Sequence, residues 1–235
     1  MKLTSYFFVG IFVTCMHSYA QMPVYRRVWN TIEGYSVDSF VRANATGSMI
    51  LSGTCQSSTD GDPVFTGFIV DPPATPIVRF DDALNFVSHV QPHFSWSRQQ
   101  NGMVQIRDDR ALGAILGIHL ERVEIVDAVD ISEALNKFLS TKEINKFLTQ
   151  THTQLMRVSS SNEIFGSNPE SESVSSSSTP KHSLIIKNLT VREALNSIVH
   201  DFNGVWVYSE CPGQISIRVF PTGIPSFWTG GPVIK

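Results

Sequence analysis

The 235-residue chain sets 18 Lys and Arg against 21 Asp and Glu, a formal charge of −3. Loss of residues 1–20 removes Lys2 and no anion, which moves the charge to −4. So mild a balance argues against a nucleic-acid or anionic-membrane partner, and the roughly 215 residues that follow suffice for one ordinary domain or two small ones.

The chain opens Met1-Lys2, and an apolar run from Tyr6 to Val13 has the length of a secretory h-region, too short to span a bilayer. Ser18-Tyr19-Ala20 places small residues where a signal peptidase reads, so residues 1–20 are expected to be a signal peptide and the mature chain to begin at Gln21. The expected location is therefore periplasmic or extracellular, with no integral membrane segment after cleavage. Cys55 and Cys211 are the two cysteines left in the mature chain, and an oxidising compartment would favour pairing them.

Along the mature chain, Ser36 to Asn44 reads as a helix and Gly47 to Leu51 as a strand. An internal repeat then organises the rest. Phe80-Asp81-Asp82-Ala83-Leu84-Asn85-Phe86-Val87-Ser88-His89 returns 111 residues later as Val191-Arg192-Glu193-Ala194-Leu195-Asn196-Ser197-Ile198-Val199-His200. Behind the helices, Phe94-Ser95-Trp96-Ser97 is answered by Val205-Trp206-Val207-Tyr208, and Gly102 to Arg107 by Gly213 to Arg218. A shorter copy lies between them at Ile131-Ser132-Glu133-Ala134-Leu135-Asn136-Lys137-Phe138-Leu139.

In each copy the apolar positions fall at i, i+3, i+4 and i+7, one face of an α-helix. Thr190 with Glu193 forms a capping box, Asp130 with Glu133 offers a similar start, and Arg79 breaks the pattern in the first copy. Ile77 to Phe80, Leu120 to Val126 and Leu184 to Ile186 read as strands ahead of the helices. The unit is thus strand, helix, strand, strand. A unit this small buries too little surface to stand alone, so the copies should share or stack sheets. The fold class is α+β, with amphipathic helices covering one face of small sheets.

The organisation that follows is a signal peptide at 1–20, an α+β region at 21–157, a serine-rich disordered linker or insertion at 158–182, and the second helix and hairpin with a tail at 183–235, packed on 21–157. The segment from Leu189 to Asn196, leading to Trp206-Val207-Tyr208, resembles the short N-terminal domain of secretins and TonB-dependent receptors. Residues 75–107 resemble it more weakly. That resemblance implies a periplasmic module that contacts partner proteins and has no catalytic residues; this chain lacks the barrel or secretin segment that follows the module in the family.

Chemistry is sparse. His89 and His93 stand four apart but straddle Pro92, which favours surface histidines over a metal pair. Asp60-Gly61-Asp62 and Asp108-Asp109 lack the further oxygen ligands of a calcium loop and read as turns. No phosphate loop, nucleotide fingerprint, nucleophile elbow or zinc-protease motif is present, so no catalytic residue, metal or cofactor is assigned. Trp96, Trp206 and Tyr208 are large enough to dominate either a core or an interaction surface, and they are the candidates for contact with an envelope protein. The alternatives are a hydrolase with a site assembled from distant residues and a small-ligand binder using Trp96 or Trp206 as a platform.

Overall fold

The computed structural model describes residues 31–57, 63–66, 77, 79–156 and 181–222. The expected signal peptide, the Asp60-Gly61-Asp62 turn, residues 158–180 and the tail from 223 lie outside the described residues.

Side chains at the helix starts fix where the helices begin. Thr31 accepts from the Gly34 amide at 3.0 Å ahead of α1 (Ile32–Ala43). α2 (Phe80–Val90) starts after Arg79 with no side-chain cap bond. Asp130 accepts from the Glu133 amide at 2.7 Å and Glu133 accepts in return from Val129, which opens α3 (Ile131–Leu139). α4 (Lys142–Gln150) follows at once, and α5 (Val191–Asp201) begins with a complete capping box between Thr190 and Glu193.

Ten strands among the described residues accompany these helices. They are β1 (Gly47–Ser52), β2 (Thr54–Ser57), β3 (Pro63–Thr66), β4 (Phe94–Arg98), β5 (Val104–Asp108), β6 (His119–Ala128), β7 (Gln154–Met156), β8 (His182–Thr190), β9 (Gly204–Cys211) and β10 (Gln214–Pro221), with a 3-10 turn at Ala114–Gly117. Six of them form one sheet in the order β4-β5-β1-β9-β10-β7, β2 pairs with β3, and β6 pairs with β8. The hairpins β4–β5 and β9–β10 are antiparallel, while β1 runs parallel to both β5 and β9. The β9–β10 turn is Pro212-Gly213, with Gly213 at φ 76°, a conformation open to glycine where a side chain would be strained.

Helices cover both faces of this sheet, which corrects the expectation of one covered face. Alternation along the strands explains it. Met49, Leu51, Val104, Ile106, Val205, Val207 and Phe220 point into a core with α1 and α2, whereas Ile50, Trp206, Tyr208, Ile215, Ile217 and Val219 point into another with α3, α5 and the inner side of the β6–β8 ribbon. Contact at the sheet is close enough that a Cβ on Gly47 would overlap the Val104 carbonyl oxygen and the Phe40 ring. Gly204 is similarly crowded by Ile131 and the Phe220 carbonyl.

Three further expectations change. Ile77 and Arg79 are not in a strand, and Phe80 already opens α2. The middle copy has its helix, α3, but a second helix follows it where a hairpin was expected, because Ile144, Phe147 and Leu148 supply another apolar stripe for the same core. The strands before α3 and α5 do not join the main sheet and pair with each other. Residues 183–222 are integral to the body described by 31–156, since β9 lies against β1 and β10 against β7.

Candidate functional site

Of the three aromatics that could serve either a core or an interaction surface, two are core residues. Trp206 is fully buried, and its indole Nε1 donates to Asn196 Oδ1 on α5 at 2.8 Å. Tyr208 is buried two residues on, because both side chains point from β9 into the core shared with α5. Trp96 alone remains partly exposed, on β4, and donates to Asn85 Oδ1 of α2 at 3.0 Å. Asn85 with Trp96 and Asn196 with Trp206 thus make the same side-chain bond between a helix and the first strand of the hairpin behind it.

The Tyr208 hydroxyl donates to Glu210 Oε2 at 2.6 Å. Burial, then the hydrogen bond and charge of Glu210, hold that hydroxyl well above the ordinary tyrosine range, so it is a donor at every physiological pH. The Glu210 carboxylate also accepts from the backbone amides of Leu112 and Gly113, the latter at 3.0 Å. Next to it, Arg110 grips buried Asp108 through Nε and a terminal nitrogen at 2.8 Å each. The loop from Asp109 to Gly113 is therefore clamped at both ends, and it displays Leu112 with 86% of its surface exposed.

The histidines make no metal centre. His89 is exposed at the end of α2, and His93 pairs with Asp109 at 3.1 Å. Asp108 ends β5, where Arg110 holds it, and only Asp109 stands in the turn that was expected of both. Among the described residues no group of three or more His, Cys, Asp or Glu is arranged to hold a metal, and no helix is long and apolar enough to cross a membrane.

Exposed apolar side chains concentrate on the β6–β8 ribbon. Of the five large exposed hydrophobic residues among those described, Val126 and Ile185 lie on it and Val129 immediately follows it. Glu124 stands opposite Ile185, so Val126 is the diagonal neighbour of Ile185 on the outer face. Arg122 pairs with Glu124 on that face, beside Lys187. Among the described residues neither ribbon strand has a strand partner on its outer edge. This surface escaped sequence reading because Val126 and Ile185 sit in runs, Ile125-Val126 and Leu184-Ile185-Ile186, where apolar type alone does not say which residue faces out.

Cys211 ends β9. Cys55 lies on β2, and its side chain is outside the described residues. The parallel β1–β9 register sets Ser52 beside Glu210, and the Gly53 amide donates to the Glu210 carbonyl at 2.8 Å, which brings the start of β2 alongside the end of β9.

No protein-family model matches this chain, and neither a curated protein nor a solved structure matches it.

Proposed function

We propose that this chain is an exported, non-enzymatic protein that binds another protein of the cell envelope, with the β6–β8 ribbon as its contact surface. The observation that carries the reading is the pairing of exposed Val126 and Ile185 with two open strand edges. Open edges offer backbone donors and acceptors to an added strand, and exposed apolar side chains beside them supply the area that water would otherwise cover. The resemblance of residues 189–208 to the short domain of secretins and TonB-dependent receptors supports the same class of role, and the Tyr6–Val13 run with Ser18-Tyr19-Ala20 supports export. Trp96, on edge strand β4, offers a second and smaller contact.

Crosslinking of the tagged chain in its native envelope, followed by mass spectrometry, tests this directly. A single envelope protein should be recovered reproducibly, and Ile185→Asp should weaken its capture by about tenfold or more, as loss of an anchor residue does at a hot spot. Equal capture by the variant would move the contact elsewhere, and recovery of no specific protein would turn attention to the hydrolase and small-ligand readings.

We also propose Cys55 as the partner of Cys211. The start of β2 lies against the end of β9, and export would keep the bond oxidised. Peptide mapping of the unreduced protein should recover the two cysteines in one linked species. Recovery of Cys55 alkylated as a free thiol would reject the pairing.

A further inference from the structure

Arg192 occupies a position that disfavours a cation for separate reasons. It lies in the first turn of α5, where the aligned peptide units present their positive end. Its Nε is buried with no hydrogen-bond partner. Desolvation, and after it the charge of Arg107, pull its pKa below the ordinary arginine value.

Arg107 arrives from a different element and the same side of the sheet. On β5 the flanking Ile106 points into the core beneath α1 and α2, so Arg107 projects from the opposite face. There it stands beside Ile50 of β1, whose side chain belongs to the core that includes Val191, Ala194 and Leu195 of α5. The start of α5 is held to the segment that follows β5, because the Val191 amide donates to the Ile118 carbonyl at 2.9 Å. Topology thus brings one guanidinium from the sheet and one from the helix start together.

Among the described residues no carboxylate is bonded to either guanidinium, and the charge of Glu193 favours the Arg192 cation less than burial and Arg107 disfavour it. Glu193 is turned back on Thr190, accepting from its backbone amide and hydroxyl at 2.8 Å each. Asp108 is held by Arg110 and Asp109 by His93. Neither Arg107 nor Arg192 makes a hydrogen bond or ion pair with a described residue. Arg107 repels the charge of Arg192, and the Arg192 Nε–H is a buried donor without an acceptor, so an anion between the two would relieve both. A buried donor left unsatisfied calls for an explanation, and an absent ion is one of the standard ones.

We propose that Arg107 and Arg192 form a binding site for a phosphate-type oxyanion. A dianion matches the two positive charges, and its several acceptor oxygens can take bonds from both planar guanidinium groups and satisfy the buried Nε–H of Arg192. The amides of the first turn of α5 add a favourable field. The site is independent of the ribbon and holds whether or not the ribbon binds a protein.

Nitrogen-15 NMR of the full chain, titrated with inorganic phosphate against sodium chloride at matched ionic strength, reads the Nε–H signal of Arg192. Phosphate should shift that signal saturably and chloride should not, and Arg107→Gln should weaken the phosphate response by about tenfold or more, the effect of losing one charge-assisted donor pair. Arg107 is exposed, so this variant should stay folded, and without phosphate its melting temperature should be unchanged or higher because a repulsion has been removed. Sedimentation with phosphatidic acid vesicles then separates the sources. Co-sedimentation lost in Arg107→Gln assigns the oxyanion to a lipid headgroup, and a phosphate shift without co-sedimentation assigns it to a soluble phosphate; either supports the site. An Arg192 signal that responds equally to chloride, or a phosphate response unchanged in Arg107→Gln, would overturn it.

Discussion

Trp206→Ala is expected to cost about 3–5 kcal/mol, the range for truncating a large aromatic in a packed core. Trp206 is fully buried where β9 meets α5, with Val219 opposite it on β10. Removing the indole leaves a cavity and orphans the Asn196 amide oxygen it donates to. Small domains have about 5–15 kcal/mol in total, so a large fraction of the stability is at stake. Trp96→Ala is the internal control, because it loses the same kind of bond, to Asn85, from a partly exposed ring. Its cost should be about 1–2 kcal/mol, in proportion to the smaller area it buries. Urea unfolding of both variants measures the difference. Equal losses would mean that the ring at 96 is as deeply packed as the ring at 206.

Asp108→Asn should lower stability at neutral pH by about 2–3 kcal/mol, as removal of a charged acceptor from a buried site does. Asp108 has no exposed surface and accepts from Arg110 Nε, from the Arg110 backbone and, at 3.3 Å, from the Ser52 amide, so it ties the end of β5 to the end of β1. Burial is the largest single influence on its carboxyl and pushes the pKa up. The hydrogen bonds and charge of Arg110, with the Ser52 amide, together outweigh it and hold the pKa below the ordinary 3.8. A folded-state value below the unfolded one means that the ionised group stabilises the fold fully above about pH 3.8 and loses that contribution as pH falls through the lowered value. Wild type and Asp108→Asn should therefore differ most at neutral pH and converge in acid. A gap that stayed constant down to pH 2 would show that shape, and not charge, is what matters at this position.

Local physics was well written in the sequence. The capping residues at 130, 133, 190 and 193 and the spacing of Val191, Ala194, Leu195 and Ile198 mark the starts of α3 and α5, and the absence of a capping side chain at Arg79 is reproduced. The alternation that places Trp206 and Tyr208 on one side, with Ile215, Ile217 and Val219 returning on the same side, also holds. The misreadings share a cause. Val205-Trp206-Val207-Tyr208 is a continuous apolar run, the signature of a strand covered on both faces, whereas the expectation was of helices on one face only. Helix α4 had its own i, i+3, i+4 stripe in Ile144, Phe147 and Leu148, masked by the expectation that each repeated helix leads into a hairpin. The candidate contact surface and the arginine pair had no local signal at all.

The sequence by itself determined the α+β class, the starts of the capped helices and the two helix–hairpin pairs, because caps, turns and periodicity act between residues at most a few positions apart. Only the tertiary structure decided that β1 enters between the hairpins, that both sheet faces are covered, that β6 and β8 leave the sheet to form a ribbon unpaired at its outer edges among the described residues, and that Arg107 comes within electrostatic reach of Arg192. Each of these depends on which distant segments bury one another, and burial is a property of the whole packed chain.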